Sequence, residues 1–139
     1  MLNRLFSKTP RVEKYSILVI EDDLPIAQVI ADIFRDEGHT VNAAATATDA
    51  IKLLETIDMP DAFIIDYMLP DMNGQQFVER VRARFGRNRL PPALMLTASK
   101  EGESVANSLQ LEDFLPKPFD NQVLVDHVTK LVQHARENG

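Results

Sequence analysis

The chain predicts an α/β protein: a doubly wound, five-stranded parallel sheet flanked by about five helices. Short apolar runs such as Ile17-Leu18-Val19-Ile20 and Ala62-Phe63-Ile64-Ile65 carry no polar alternation, as strands covered on both faces require. Between these runs lie segments with apolar residues at helical spacing, the pattern of strands joined by crossover helices. At 139 residues and 45% hydrophobic composition, the chain suits one domain with one core.

Each element has a local reason. Residues 1–14 carry Arg4, Lys8, Arg11 and Lys14 with no sustained period, and read as a mobile extension to a domain over 15–139. After the first strand, Asp23 is placed to cap a helix opened by Leu24-Pro25. Ile26, Val29, Ile30, Ile33 and Phe34 form its apolar stripe, and Gly38 ends it. His39 to Ala44 is a weaker second strand. Thr46 to Ile57 repeats the helical pattern through Ala47, Ala50, Ile51 and Leu54. The third strand runs into Asp66, and Asn73-Gly74 leads into a helix with Phe77, Val78, Val81 and Phe85 inward. Ala93 to Leu96 is the fourth strand, ending at Thr97. Residues 98–111 are weakly patterned and hold one short fourth helix. Asp113-Phe114-Leu115 is the fifth strand. Asp120 caps a last helix with Leu124, Val128, Leu131 and Val132 on one face.

Composition excludes several function classes. There is no cysteine, hence no disulfide, thiolate metal site or cysteine nucleophile, which fits a reducing compartment. A net charge of −6 argues against direct nucleic-acid binding. No stretch approaches the about 20 apolar residues of a membrane span. The five glycines make neither a dinucleotide fingerprint nor a P-loop, and the three histidines, 39, 127 and 134, form no metal-spaced cluster. His127 and His134 read as surface residues of the last helix.

The candidate chemistry lies at strand ends. Glu21-Asp22, Asp66, Thr97 and Lys117 follow the first, third, fourth and fifth strands. A parallel sheet brings such ends to one edge, where open α/β sheets bind their ligands. Taken singly, each residue has a plainer reading as a turn carboxylate, helix cap, strand-end hydroxyl or solvated lysine. Taken together, crowded carboxylates call for a cation, and oxygen donors without His or Cys favour Mg²⁺. A carboxylate beside such an ion can attack phosphorus, with an ammonium sharing the charge.

The runs Ile17 to Asp23, Ile64-Ile65-Asp66-Tyr67-Met68-Leu69-Pro70-Asp71-Met72-Asn73-Gly74, Met95-Leu96-Thr97-Ala98 and Pro116-Lys117-Pro118-Phe119 resemble the receiver domains of two-component response regulators, the chemotaxis-regulator type included. The match covers roughly Tyr15 to Gln133 and implies a flavodoxin-like sheet. It implies that Asp66 accepts a phosphoryl group from a phosphohistidine of a histidine kinase or phosphotransfer protein. Mg²⁺ would be held by Asp22, Asp66 and the Met68 carbonyl, with Glu21 acting through a water. Thr97, Ala98 and Lys117 would form the phosphate-binding and switch set, with Phe114 as a switch aromatic that works by packing alone. Lys117-Pro118 matches the family's cis peptide. The resemblance also implies a cytoplasmic, non-enzymatic signalling module, monomeric or weakly dimeric. Its output partner would dock on the fourth helix, fifth strand and fifth helix.

Two departures stand out. The stretch before Phe114 has Gln110-Leu111-Glu112 where the family usually has Gly-Ala, and the loop from Gly86 to Pro92 is slightly long. Whether this is a stand-alone receiver or part of a longer regulator stays open. A Mg²⁺-dependent aspartyl-phosphate hydrolase of the haloacid dehalogenase type is the alternative. That chemistry wants a second Asp two residues after the nucleophile, and Met68 stands there. A receiver that works without phosphorylation would usually lack an acid or the lysine. Met68 cannot orient water by hydrogen bonding, so fast self-dephosphorylation is not expected.

Overall fold

The computed structural model describes residues 13–86, 90–98 and 113–138. Five strands, β1 (Ser16–Ile20), β2 (Thr40–Ala44), β3 (Ala62–Asp66), β4 (Ala93–Thr97) and β5 (Phe114–Pro116), form one sheet in the order β2-β1-β3-β4-β5. Every pair is parallel. The described helices are α1 (Leu24–Asp36), α2 (Ala47–Leu54), α3 (Gly74–Phe85) and α4 (Asn121–Asn138). The sequence expected about five. The helix assigned to 98–111 lies outside the described residues, as does nearly all of the 1–14 extension.

The uniformly apolar strands are explained by a core on each face. Ile17, Val19, Ile64, Leu94 and Leu96 pack with Ile30 and Phe34 of α1 and Leu124, Val128 and Val132 of α4. Their neighbours Leu18, Ile20, Phe63, Ile65 and Met95 turn the other way, onto Ala47, Ala50 and Leu54 of α2 and Phe77, Val78 and Val81 of α3. Full burial of one such side chain contributes about 2–3 kcal/mol, so each face is an independent hydrophobic reason for the sheet.

Caps fall where the residues predict them. Asp23 accepts from Ile26 N at 3.1 Å, and Asn73 and Gln76 form a reciprocal capping box on α3. Asp120 receives the N–H groups of Gln122 and Val123 at 2.9 and 3.1 Å. Gly38 follows α1 at φ 90°, a conformation only glycine adopts cheaply. One expectation fails: Val29, assigned to the inward stripe, is 48% exposed, and Ala27 and Ala31 are buried instead. The buried stripe of α1 runs through Ala27, Ile30, Ala31 and Phe34, and Val29 lies on its flank, where with Pro25 and Ile26 it borders a groove shared with Lys117 and Phe119.

Candidate functional site

The strand order turns back at β1, which has β2 on one side and β3 on the other. Ligands of open α/β sheets bind outside the carboxyl ends of strands at such a switch point. β1 delivers Glu21 and Asp22 there, and β3 delivers Asp66. Oxygen atoms of these three carboxylates lie within 4.8 Å of one another, a group that could hold a metal ion. Glu21 and Asp66 are buried, whereas Asp22 is exposed.

Lys117, just past β5, reaches into the group. Its Nζ donates to Glu21 Oε1 at 2.6 Å and to Asp66 Oδ2 at 3.3 Å. The backbone fixes its entry, since Lys117 N–H bonds the Thr97 carbonyl at 2.8 Å. The Lys117–Pro118 peptide is cis, as the resemblance implied. Among the described residues one ammonium stands by three carboxylates, so these groups together carry excess negative charge. The Glu21 carboxyl registers this. Burial, with the nearby Asp66 carboxylate, raises it to about 7 against the pull of Lys117. Burial draws the Lys117 ammonium down, but Glu21 and Asp66 outweigh it and hold it above its ordinary value.

Thr97 ends β4 one residue beyond Leu96, which pairs with Asp66. Its Oγ1 is buried and has no hydrogen-bond partner among the described residues. Such an orphan costs about 1–3 kcal/mol, so a buried hydroxyl left open at the end of β4 calls for a reason beyond packing.

The loop after β3 is tied at several points. Met68 N–H donates to Asp66 Oδ1 at 3.2 Å, and Gly74 N–H bonds the Tyr67 carbonyl at 2.7 Å. A Cβ at Gly74 would stand 2.6 Å from Met95 Sδ, which explains glycine at this close approach. Asp71 accepts from Ala47 N, Thr48 N and Thr48 Oγ1. Slight burial would raise its carboxyl, but the Thr48 hydroxyl and the two amides outweigh that and hold it below its ordinary value.

Glu21, Asp22, Asp66 and Lys117 are thus brought together as the sequence predicts. Thr97 and exposed Ala98 flank them, Ala98 lining a groove with Lys117 and Phe119. The Met68 side chain is 69% exposed. Phe114 sits farther back, opposite Met95, half-buried against the α2–α3 core. His127 bonds Asp113 at 3.0 Å, and His134 is exposed. The Asp71 clamp was missed: the sequence offers Asp71 only as one residue of the run after Asp66, and nothing local signals its partners.

The donor set is carboxylate oxygen throughout, without imidazole or thiolate, and suits a hard divalent cation such as Mg²⁺. Among the described residues, no helix is long and apolar enough to cross a membrane.

Comparison with known proteins gives one family. The family model described as response regulator receiver domain matches residues 17–129. The chain is 32% identical to regulatory protein VanRc of Enterococcus gallinarum over 125 residues, 88% of this chain and 52% of that protein. It is 30% identical to the phosphate regulon transcriptional regulatory protein PhoB of Escherichia coli over 119 residues, 84% of this chain and 51% of that one. The chain therefore spans about half the length of these curated relatives. A CheY-like response regulator receiver domain protein from Methanospirillum hungatei superposes with a TM-score of 0.76 at 25% identity, covering 91% of this chain and 100% of that one.

Proposed function

This chain belongs to the receiver-domain family of two-component response regulators, and on that premise we propose that Asp66 is its phosphoacceptor. The observation that carries the assignment is the Lys117 ammonium bonded to both Glu21 and Asp66 beside a three-carboxylate cluster. A lysine there offsets part of the Asp66 charge without masking it and is placed to meet the oxygens of an incoming phosphoryl group.

The donor is a phosphohistidine on a histidine kinase or phosphotransfer protein. An Asp66 oxygen bonds to phosphorus as the P–N bond breaks, and the electron pair stays on the departing imidazole. Lys117 shifts its donation toward the phosphoryl oxygens, and the buried Thr97 hydroxyl, with Ala98 beside it, gains the acceptor it lacks. Asp22, Asp66 and the Met68 carbonyl, with Glu21 through a water, would hold Mg²⁺, which would offset negative charge on the phosphoryl group. Filling the Thr97 bond is the local event that Phe114, behind it on β5, converts into a packing change. The output surface is the side of β5 and α4, together with the helix expected in 98–111. Binding there is to a protein partner rather than to nucleic acid, with the chain a monomer or weak dimer. The absence of cysteine supports a cytoplasmic setting.

The haloacid dehalogenase alternative gains no support. Position 68 offers a thioether without a titratable group, and the matched family is a receiver. The same side chain cannot align a hydrolytic water, which supports a persistent acyl phosphate and a signalling module rather than a turnover enzyme.

Acetyl phosphate with Mg²⁺ tests the reading. Intact mass should show one base-labile phosphoryl adduct that Asp66→Asn abolishes. No adduct with any donor, or one that survives the substitution, would falsify the assignment, and rapid multiple turnover would restore the hydrolase.

A further inference from the structure

Asp71 joins segments that the sequence keeps 23 and 24 residues apart. Its Oδ1 accepts from Ala47 N at 3.1 Å, and its Oδ2 accepts from Thr48 N at 2.9 Å and from the Thr48 hydroxyl at 2.6 Å. Ala47 and Thr48 open α2, whose own cap, Thr46, serves the Asp49 amide at 3.0 Å. The first free amides of this helix are therefore shared between a local cap and a distant loop.

That loop is closed on itself. Leu69 N–H bonds the Met72 carbonyl at 3.1 Å, Gly74 N–H bonds Tyr67 at 2.7 Å, and Met68 bridges Asn73. A unit closed this way transmits restraint from end to end. One end is the Asp71 clamp. The other is the Met68 amide, which holds Asp66 Oδ1 at 3.2 Å. A turn needs only a small polar residue at position 71; a carboxylate spread over two amides and a hydroxyl of another helix is a directed tie.

We propose that Asp71 is a positioning residue for Asp66, clamping the 67–73 loop to α2 so that the Met68 amide keeps the Asp66 carboxylate oriented for the cation and the phosphoryl group. This rests on the phosphoacceptor reading above for its purpose, though not for its geometry. Groups that orient a metal ligand from outside are worth about tenfold or more in metal affinity; the Met68 amide stands at that remove from Asp66, and Asp71 holds it through the loop.

The test compares Asp71→Ala with Thr46→Ala in the full chain. Both strip hydrogen bonds from the start of α2, but only the first frees the loop. Two readouts need no phosphodonor: hydrogen exchange at the Met68 and Gly74 amides, and titration with Mg²⁺ alone followed by the Met68 amide NMR shift. Asp71→Ala should speed exchange and raise the Mg²⁺ dissociation constant, each about tenfold. Thr46→Ala should lower the melting temperature comparably while changing neither by more than about twofold. Asp71→Asn, which keeps one carbonyl acceptor, should fall between and carries the test if Asp71→Ala does not fold. Unchanged exchange in the Asp71 variants, or equal shifts in Thr46→Ala, overturns the proposal. Phosphorylation at Asp66 with unchanged exchange removes the clamp alone. A loosened Met68 in a protein that takes no phosphoryl group keeps the clamp and removes the phosphoacceptor reading.

Discussion

The two edges of the sheet are built from the same strands and treat polar groups in opposite ways. At the amino edge, groups are matched. Tyr15 N–H donates to His39 Nδ1 at 3.2 Å, and the Tyr15 hydroxyl meets Thr129 at 2.8 Å. The Ser16 amide and hydroxyl both reach Asp61 Oδ2, at 2.8 and 3.2 Å, while Arg136 bonds the Lys14 carbonyl at 3.1 Å. At the carboxyl edge, three carboxylates cluster, Lys117 pairs with two of them, Glu21 and Asp66, a glutamate is buried, and the Thr97 hydroxyl has no partner among the described residues. Hydrogen-bonded burial fixes a structure, whereas buried groups left unpaired oppose folding and wait for a ligand. The amino edge satisfies its polar groups internally; the carboxyl edge leaves negative charge and the Thr97 hydroxyl unmatched among the described residues.

The largest effect should come from removing Lys117, the one cation at the carboxyl edge among the described residues. Stripping one member from a buried charge pair costs about 3 kcal/mol, so Lys117→Ala should lose about that much urea-unfolding free energy at pH 8 without Mg²⁺. A loss below about 1 kcal/mol, the surface-pair range, would mean that the edge is not under electrostatic strain. Mg²⁺ comes next. At a hundred times its dissociation constant it should stabilise the wild type by about 2.7 kcal/mol by mass action, and Lys117→Ala by more. Asp61→Ala, which breaks the matched edge, should gain only the wild-type increment. If Mg²⁺ rescued Asp61→Ala preferentially, or stabilised none of the proteins, the cation would not belong to the carboxyl edge.

The fold was legible because its strongest signal is physical necessity. Ile17 to Ile20 and Ala62 to Ile65 have no polar face, so they must be covered on both sides, and parallel strands follow. The site was legible for a related reason: Glu21, Asp66, Thr97 and Lys117 each end an apolar run, and a parallel sheet collects such ends. What stayed hidden depends on tertiary neighbours. Val29 has the spacing of a core residue, but nothing in the spacing says that the buried stripe of α1 runs through Ala27, Ile30, Ala31 and Phe34, which leaves Val29 on its flank at 48% exposure. Asp71 looks like any turn aspartate until α2 is placed beside it. His39 looks like the first residue of a weak strand, yet it stacks on Tyr15 at a centroid distance of 3.6 Å. The structure assigns these roles through contacts between elements, and no periodicity encodes them.

A pH series offers the subtlest separation of the two edges, because it should tilt them in opposite directions. In the metal-free protein the Glu21 carboxyl sits at about 7, above its ordinary 4.5. The folded state thus holds a proton that the unfolded chain releases, so this group's contribution is greatest below pH 4.5 and fades as pH rises through about 7. His39 behaves the other way. Burial first, then Lys14 and Arg136, outweigh Glu37 and push the imidazole below its ordinary 6.5. Its Nδ1 must stay unprotonated to accept the Tyr15 amide, so its contribution is present above pH 6.5 and is lost as pH falls through the lowered value. Unfolding free energies of wild type, Glu21→Gln and His39→Gln, measured from pH 5 to 8 without Mg²⁺, isolate each term, since other titrations cancel in the differences. The wild-type advantage over Glu21→Gln should shrink with rising pH, and the advantage over His39→Gln should grow by about 1 kcal/mol, the worth of one buried hydrogen bond. Two differences that run parallel would mean that the edges are not electrostatic opposites. A reversed pair would mean that Lys117 satisfies Glu21 fully, while the His39 stack welcomes the charge.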